Sequence, residues 1–439
     1  MPARASEFPA VTRPPSPSVV HRGRTARGPL HVWGTRTAYR GGMRRLSLVP
    51  IAIVVLALLP PSAPLAFAAT PDWSGLDATD YAGTIGAPGT LIESVPLDPA
   101  VSLPGAGSAY RILYATTNTH QRPAVSTAAV FLPAGAPPEG GWPTVAWAHG
   151  TTGLGDDCTP SALPRSDRDD GYLDHWLGEG YAVVASDYTG LGTPGLMSYL
   201  DTATTAHGIV DSVIAFHQLA DRTGVALSPR WAVIGQSQGG AAAVGTAHYA
   251  TEFSAGSGLD YRGAIATGTP AFIDEIVGKA GPDMVLPPEL GSVASAYSAY
   301  ILAAFREARP DLDVDAVLSA EGKDAIAKAE VACAAELATA LTDTRPNEFF
   351  VAPLASVPGA GPALTDYLGI PTSGYDRPVF LGVGLRDSDV PPSSSLRLDE
   401  AMRANRQPVE LHVYPDQDHS GTVVASVPDS TPFLQRIMS

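Results

Sequence analysis

The sequence predicts an α/β fold, in which a mostly parallel central sheet is flanked by helices and interrupted by a helical insertion. Short apolar runs alternate with stretches of helical periodicity, which is typical of strands buried between two helical layers. Strand patterns disappear between residues 273 and 375, where only helical patterns remain. With 439 residues, of which 45% are hydrophobic, the chain can bury a large core.

The N-terminal segment has the composition of a targeting sequence. Nine arginines lie among residues 1–45, with Glu7 as the single acid. From Met43 the chain has two arginines, a leucine-rich run, a proline break and alanines at A-x-A spacing. We therefore predict a secretory signal peptide at 43–68, preceded by an over-extended start at 1–42, and a secreted product. The apolar run is too short to favour a membrane span.

Charge and cysteine content narrow the class of protein further. The formal net charge of −16 argues against nucleic-acid binding, because a phosphate-binding surface needs clustered lysine and arginine. Cys158 and Cys333 are the two cysteines, and an isolated pair in an exported protein predicts one disulfide. Their spacing excludes a CxxC redox or zinc site.

Eight apolar runs predict the strands of the sheet. The first two favour an antiparallel pair, and the other six favour parallel strands. The predicted core spans 69–272 and 376–439. In chain order the runs are AYRILYATT (109–117), STAAVFLPAG (126–135), TVAWAHG (144–150), YAVVASDY (181–188), WAVIGQS (231–237), YRGAIATGTP (261–270), RPVFLGVGLRD (377–387) and VELHVYPDQDH (409–419).

Helical periodicity predicts the segments that flank and interrupt the sheet. Residues 204–224 carry apolar side chains at helical spacing and end at a glycine, so they predict a helix. Within 273–375, which we predict to be a helical cap, residues 291–310 and 321–341 each predict one amphipathic helix. Cys333 lies on the apolar stripe of the second of these helices, which suits a covalent tie between cap and core.

The polar sequence GQSQG at 235–239 stands between a predicted strand and a helix of small residues. Ser237 is the centre of a G-x-S-x-G pattern, whose glycines let strand and helix approach closely around a strained turn that exposes the hydroxyl. The same residues are compatible with a serine that only caps the helix. The pattern therefore predicts a nucleophile only where a base and an acid follow in the right order.

A carboxylate and a histidine follow Ser237 in that order. A serine hydroxyl is a weak nucleophile, so it needs a histidine to accept its proton and an acid to orient that histidine. Asp387 follows the seventh predicted strand and His419 the eighth, so both lie at strand ends where loops meet Ser237. Asp389 is the alternative acid, and the alternative interpretation of His419 is a surface-turn histidine.

Acyl transfer also needs two backbone N–H groups that bind the developing oxyanion. The residue after the nucleophile supplies one, which here is Gln238. The loop after an early strand supplies the other, and AWAHGTTGLG makes Thr151 the first candidate and Thr152 the second. His149 is interpreted as a structural residue of that loop, packed beneath the site.

The sequence GLGTPG at 190–195 formally matches the dinucleotide-binding pattern G-x-G-x-x-G. Pro194 interrupts the turn and no helix begins at once, so we interpret the segment as a loop beside the pocket. Asp187 is interpreted as a structural acid. Metal-ligand spacings are missing, and the acidic run DRDDG does not fit a calcium loop. We expect no cofactor and no metal.

Five motifs together resemble a known family. AWAHGTTG with a cysteine soon after it, YAVVASDYTGLGTPG, GQSQGG, GLRDSDVPP and the late His419 are similar to the secretory lipases of the Candida lipase A type and their actinobacterial relatives. The resemblance implies an α/β-hydrolase fold and the hydrolysis of carboxylic esters, often acylglycerols, under a cap. By position it implies Ser237 as nucleophile, Asp387 as acid, His419 as base, and Thr151 and Gln238 as oxyanion donors.

We therefore expect a secreted, monomeric serine ester hydrolase that acts on ester or lipid substrates through an acyl-enzyme intermediate. Transient contact with a lipid–water interface is compatible with this function. Two alternatives stay open at this point. One is a serine peptidase of the prolyl-aminopeptidase type, which would use cap acids such as Glu321 and Glu330 to recognise a free amine. The other is a non-catalytic binding protein on a hydrolase scaffold.

Overall fold

The computed structural model describes residues 70–285 and 293–439. The predicted over-extended start at 1–42 and the predicted signal peptide at 43–68 lie outside the described residues. Within the described part of the chain, none of the helices combines the length and the apolar character needed to cross a bilayer.

The described residues form one nine-stranded sheet with the order β1-β2-β3-β5-β4-β6-β7-β8-β9. Antiparallel pairs join β1 to β2, β2 to β3 and β3 to β5. All the remaining pairs are parallel. The strands are β1 (Leu91–Pro96), β2 (Ala106–Thr117), β3 (Pro123–Pro133), β4 (Trp142–Ala148), β5 (Ala182–Ser186), β6 (Leu227–Gln236), β7 (Asp260–Thr267), β8 (Val379–Gly384) and β9 (Val409–Tyr414).

Helices connect and cover the strands. The α-helices are α1 (Asp167–Gly178), α2 (Thr202–Thr223), α3 (Gln238–Phe253), α4 (Ile273–Val277), α5 (Val293–Ala308), α6 (Ala320–Ala329), α7 (Ala334–Ala340), α8 (Ala360–Leu368), α9 (Pro392–Ala404), α10 (Gly421–Ala425) and α11 (Val427–Met438). Short 3-10 helices are Pro99–Val101, Asp156–Cys158, Pro160–Ala162, Val314–Val317, Pro346–Phe349 and Leu354–Ser356.

The two faces of the sheet bury separate apolar clusters. One cluster packs α2 and α3 against the strands and continues into the helices that follow β7. The other packs α1 and α11 against the opposite face. Every residue of β5 and of β8 is buried, as expected for parallel strands that are covered on both sides. These layers confirm the predicted α/β architecture.

All eight predicted strands are present as β2 to β9. The sequence analysis missed β1, whose sequence LIESVP alternates irregularly because it is an edge strand with a shift of register against β2. It also missed α1, whose sequence DRDDGYLDHWLG is rich in acids. Three of its four acids, Asp167, Asp169 and Asp170, lie in the first helical turn behind the N-cap Ser166, where the helix dipole favours negative charge.

The segment between β7 and β8, residues 268–378, holds α4 to α8 and contains no named strand among its described residues. We call this segment the insertion. The prediction of one helix over 321–341 is wrong, because the helix ends at Ala329 and α7 begins at Ala334. Cys333 adopts an extended conformation between them and forms an antiparallel bridge with Gly153.

One contact with the core and one within the insertion explain this break. The backbone N–H of Ala334 donates to the carbonyl of Thr152 at 2.8 Å, and the Tyr300 hydroxyl donates to the carbonyl of Ala332 at 2.9 Å. Both bonds need a chain that has left the helix. The predicted disulfide between Cys158 and Cys333 is present, with the Cα atoms 5.3 Å apart. It links the insertion to the loop that follows β4.

Candidate active site

Ser237 occupies the turn between β6 and α3 with φ 59° and ψ −125°. A positive φ is strained for a residue with a side chain, and such strain is found at functional sites. The turn is held by the Ser237 N–H, which donates to the carbonyl of Thr267 at 2.9 Å. The side chain makes no capping hydrogen bond to α3, so the structure gives no support to the interpretation of Ser237 as a simple helix cap.

Two glycines of the motif are required by close backbone approach. A Cβ at Gly235 would lie 1.9 Å from the carbonyl oxygen of Gly239. A Cβ at Gly239 would lie 1.9 Å from the carbonyl oxygen of Ala148, at the end of β4. No side chain fits at either distance, so strand and helix meet at the spacing that the G-x-S-x-G pattern predicts.

Asp387 and His419 are brought together by the loops after β8 and β9. The His419 Nδ1 and the Asp387 Oδ2 are 2.6 Å apart, and both side chains are largely buried. Asp387 is itself held by the N–H groups of Asp389 and Val390, which donate to its Oδ1 at 3.0 and 2.8 Å. The Nε2 of His419 is buried and has no hydrogen-bond partner among the described residues.

The alternative acid Asp389 takes a different position. Its backbone supports Asp387, and its side-chain Oδ1 lies 3.5 Å from the Ser388 hydroxyl. Of the two acids, the structure therefore pairs Asp387 with His419. Gly268, which the sequence analysis overlooked, makes room for this pair, because a Cβ there would lie 2.9 Å from the His419 ring.

The loop after β4 passes directly beside Ser237. A Cβ at Gly150 would lie 3.6 Å from the Cβ of Ser237, so the next residue, Thr151, is close to the nucleophile candidate. The Thr151 hydroxyl is hydrogen-bonded to the Tyr199 hydroxyl at 2.6 Å, which fixes its side chain. Gln238 is the first residue of α3, where backbone N–H groups have no partner within the helix.

His149 has the structural position that the sequence predicted. Its ring is stacked on Tyr188 with centroids 4.2 Å apart, and its Nδ1 lies 2.7 Å from the carbonyl of Gly150. Burial lowers the pKa of His149, so the ring is neutral at ordinary pH.

Asp187 is buried beneath this loop. It accepts hydrogen bonds from the hydroxyls of Thr127 and Ser161, and burial raises its pKa while the charge of Arg111 opposes that rise. These contacts agree with the predicted structural role of Asp187. They tie β3, β5 and the loop after β4 into one support for the site.

Two cavities of different character meet at Ser237. One, of about 720 Å³, is mostly apolar and lies between the core and the insertion. Its walls include Tyr199, Phe272, Ile273, Met284, Ile301, Leu302 and Phe350, and Gln238 also borders it. We call it the apolar cavity.

The other cavity, of about 470 Å³, is lined by His419, Thr151, Thr152, Arg168, Asp169 and Ser420 as well as Ser237. We call it the polar cavity. The sequence analysis treated the run that contains Arg168 and Asp169 only as a failed calcium loop. Its position at the site follows from the fold, because α1 begins beside the nucleophile turn, and no sequence motif marks it.

Comparisons with known proteins are consistent with this geometry. The sequence model of the secretory lipase family matches residues 166–345, and that of the prolyl oligopeptidase family matches residues 367–435. The first range contains Ser237, and the second contains Asp387 and His419. No curated protein sequence matches the chain significantly.

Solved structures of several hydrolases have a similar fold. Candida antarctica lipase A in its closed state has a TM-score of 0.63 and 19% identity, over 80% of this chain and 82% of that chain. The rice cell wall degrading esterase LipA from Xanthomonas oryzae has a TM-score of 0.59 and 20% identity, over 80% and 98%. A putative hydrolase from Legionella pneumophila has a TM-score of 0.65 and 19% identity, over 79% and 98%.

The family match and the structural similarity confirm the resemblance to the secretory lipases and the α/β-hydrolase fold. They also confirm the prediction of a serine ester hydrolase.

Proposed function

We propose that the chain is a secreted enzyme which cleaves esters through Ser237, His419 and Asp387. The proposal is supported by its α/β-hydrolase fold and by its match to the secretory lipases over residues 166–345. One observation carries this proposal. His419 is bonded to Asp387 through Nδ1, and its Nε2 has no partner among the described residues, while its ring and Ser237 line the same cavity.

In the proposed mechanism, Ser237 Oγ attacks the carbonyl carbon of the ester. His419 Nε2 accepts the hydroxyl proton and then donates it to the leaving alcohol, so that an acyl-enzyme forms. Water is activated by the same histidine and releases the acid. Asp387 holds the Nδ1–H tautomer and stabilises the imidazolium. No cofactor takes part in these steps.

The oxyanion would be bound by the backbone N–H groups of Thr151 and Gln238. Thr151 lines the polar cavity and Gln238 lines the apolar cavity, and Ser237 lines both cavities. An oxyanion between the cavities is therefore within reach of donors from both the β4 loop and the N-terminus of α3.

The apolar cavity is proposed to bind the acyl group. It is lined by side chains of the core and of the insertion, and its volume of about 720 Å³ suits a medium or long chain. The insertion would then act as the predicted cap over 273–375. Exposed apolar side chains at its surface, Ile276 at 42% and Val285 at 91%, lie beside the cavity and fit transient contact with a lipid surface.

The first test is hydrolysis of a chain-length series of p-nitrophenyl esters and of emulsified triglycerides, with Ser237→Ala as the variant. We expect kcat to fall by about 10⁴-fold or more, because a hydroxyl nucleophile is lost without a change in fold. Circular dichroism checks that the variant is folded. Turnover of long chains and emulsions would indicate a lipase, and turnover of short soluble esters alone a carboxylesterase. Wild-type turnover by Ser237→Ala would contradict the proposal.

A matched pair of variants tests the choice of acid. Asp387→Asn should lower kcat by about 10³-fold or more, because asparagine cannot stabilise the imidazolium. Asp389→Asn removes a charge two residues away and should lower kcat by less than about tenfold. The reverse order would assign the acid to Asp389.

Peptide-bond hydrolysis is the second candidate function, since the prolyl oligopeptidase match covers Asp387 and His419. The cap acids that would recognise a free amine are poorly placed for it. Glu330 is paired with Arg306 at 2.6 Å, and Glu321 is exposed. Neither is among the residues that line the two cavities. Proline p-nitroanilide and an ester of the same acid decide the question, and we expect turnover of the ester alone.

A further inference from the structure

The two cavities differ in which catalytic candidate they contact. His419 and Ser420 line the polar cavity and are not among the residues that line the apolar cavity. In the proposed mechanism His419 delivers a proton to the oxygen of the leaving alcohol, so that alcohol must lie on the His419 side of Ser237. The polar cavity is therefore the side on which the alcohol departs.

We propose that the polar cavity is a subsite for leaving alcohols that carry additional hydroxyl groups, and that the Arg168–Asp169 pair recognises them. This inference rests on the proposed ester hydrolysis and adds the class of alcohol. As the C–O bond to the alcohol breaks and the Ser237 Oγ–acyl bond forms, the proton from His419 goes to the departing oxygen. The neighbouring hydroxyls of the alcohol then face Arg168 and Asp169.

Arg168 is held at the junction of the nucleophile and base loops. Its Nη1 donates to Ser420 Oγ at 3.1 Å, next to His419, and its Nη2 lies 3.5 Å from Gln236 Oε1, next to Ser237. Its Nε and Nη2 donate to Asp169 Oδ1 at 2.9 and 2.7 Å. Nη1 keeps a second N–H for a ligand, because the guanidinium nitrogen carries more donors than this contact uses.

Acceptors and further donors stand beside the guanidinium. Asp169 Oδ2 accepts from the Ser166 hydroxyl at 3.0 Å and keeps lone pairs for a ligand hydroxyl. Thr152 lines the same cavity, and its hydroxyl is buried without a hydrogen-bond partner among the described residues. A hydroxyl group both donates and accepts, so it suits this mixture of partners better than an alkyl group does.

The charge balance of the cavity favours a neutral ligand over an anionic one. Arg165 is paired with Asp170 at 2.9 Å, and Arg168 with Asp169 at 2.7 Å. Asp389 adds a further carboxylate to the wall. A phosphate on the alcohol would therefore find no unpaired arginine among these residues, whereas a polyol needs only hydrogen bonds.

The test compares two esters of one acyl chain, 1-monooctanoylglycerol and propyl octanoate, which differ by the two hydroxyls of the alcohol. We expect the wild-type kcat/KM to favour the glycerol ester by about tenfold, which corresponds to one hydrogen bond to a charged group. Arg168→Met should reduce this ratio to nearly one. Arg436→Met is the control, since Arg436 is also paired with an acid, Glu410, and lines neither cavity, and it should leave the ratio unchanged.

A second measurement keeps the inference testable if Arg168→Met does not fold. During hydrolysis of p-nitrophenyl octanoate, glycerol and 1-propanol compete with water for the acyl-enzyme of the wild-type protein. The reverse of the leaving step uses the same subsite, so glycerol should be the better acceptor by several-fold, and Asp169→Asn should reduce that preference. Equal partitioning, or an ester ratio that Arg168→Met leaves unchanged, overturns the inference. If the wild-type protein hydrolyses neither ester, the proposed function is overturned, and the inference with it.

Discussion

The Ser237 turn of the core and helix α8 of the insertion differ in how closely the main chain is packed around them. In the core, backbone meets backbone so closely that a Cβ at Gly239 would lie 1.9 Å from a carbonyl oxygen of the neighbouring strand. In the insertion, a Cβ at Gly361 of helix α8 would meet nothing within 4 Å. The main chain therefore fixes atomic positions at the Ser237 turn, whereas helix α8 has no such contact at Gly361. Close backbone approach in the insertion occurs elsewhere, at Gly322, where a Cβ would overlap the carbonyl oxygen of Phe349.

This difference indicates a division of roles. The proposed catalytic geometry depends on precise atomic positions, and the residues that would form it lie at the ends of β4, β6, β8 and β9. The shape of the apolar cavity depends on apolar packing, which tolerates adjustment. Substitutions in the two regions should therefore differ in their effect on stability. The disulfide that joins the regions and two individual glycines test this difference.

The largest expected effect comes from cutting the tie. The double variant Cys158→Ala/Cys333→Ala opens a loop with a sequence separation of 175 residues. In the chain-entropy model we expect a loss of about 5 kcal/mol in the free energy of unfolding. Urea denaturation of oxidised wild type and variant measures it, and reduced wild type is the control. A variant as stable as oxidised wild type would show that packing alone holds the insertion.

Next in size is Gly239→Ala in the core. The new methyl group would overlap the carbonyl oxygen of Ala148, which cannot move without breaking the β4–β6 pairing. We expect a loss of about 3 kcal/mol or more, with activity lost in proportion to the displacement of Ser237. Chemical denaturation and ester turnover measure the two effects. Unchanged stability would contradict the idea that backbone approach fixes this turn.

The core should also dominate the pH dependence of stability, because it buries a carboxyl group. Described acids of the insertion such as Glu321 are instead solvated on helix surfaces. Asp211 on α2 is 3% exposed, and burial raises its pKa to about 7. A raised carboxyl pKa means that the folded state binds the proton more tightly, so this contribution falls as pH rises from about 4 to about 7.

Asp211→Asn replaces the protonated form with a neutral group of the same shape. We expect a gain of about 2 kcal/mol at pH 8 and almost none at pH 4, measured by denaturation at each pH. The buried His149 has a lowered pKa and acts in the opposite direction, which is why the variant is compared with wild type at every pH. An equal effect at both pH values would assign the benefit to something other than proton binding.

The smallest expected effect is Gly361→Ala in the insertion. Gly361 lies inside helix α8 and faces open space, so alanine removes unfolded-state freedom without a clash. A gain of about 0.5–1 kcal/mol should appear in the same denaturation experiment. A loss comparable to that of Gly239→Ala would remove the contrast between the two regions.

Sequence patterns predicted most of the core because its strands are buried on both faces and carry continuous apolar runs. Ser237, Asp387 and His419 could be predicted as a set because each follows a strand that ends at the same edge of the sheet. The edge strand β1 and the acid-rich helix α1 lacked such patterns. Arg168 was missed for a related reason, since its role depends on where α1 begins in space.

The amino-acid sequence alone determined the order of the eight strands β2 to β9 along the chain, the small residues of the Ser237 turn, and the pair of cysteines. These follow from apolar periodicity, from the size of a glycine, and from the tendency of two isolated cysteines to pair. Only the tertiary structure decided that Asp387 and not Asp389 meets His419, that the helix predicted over 321–341 breaks at Cys333, and that a polar and an apolar cavity meet at Ser237. Each of these depends on contacts between segments far apart in sequence, which no local pattern encodes.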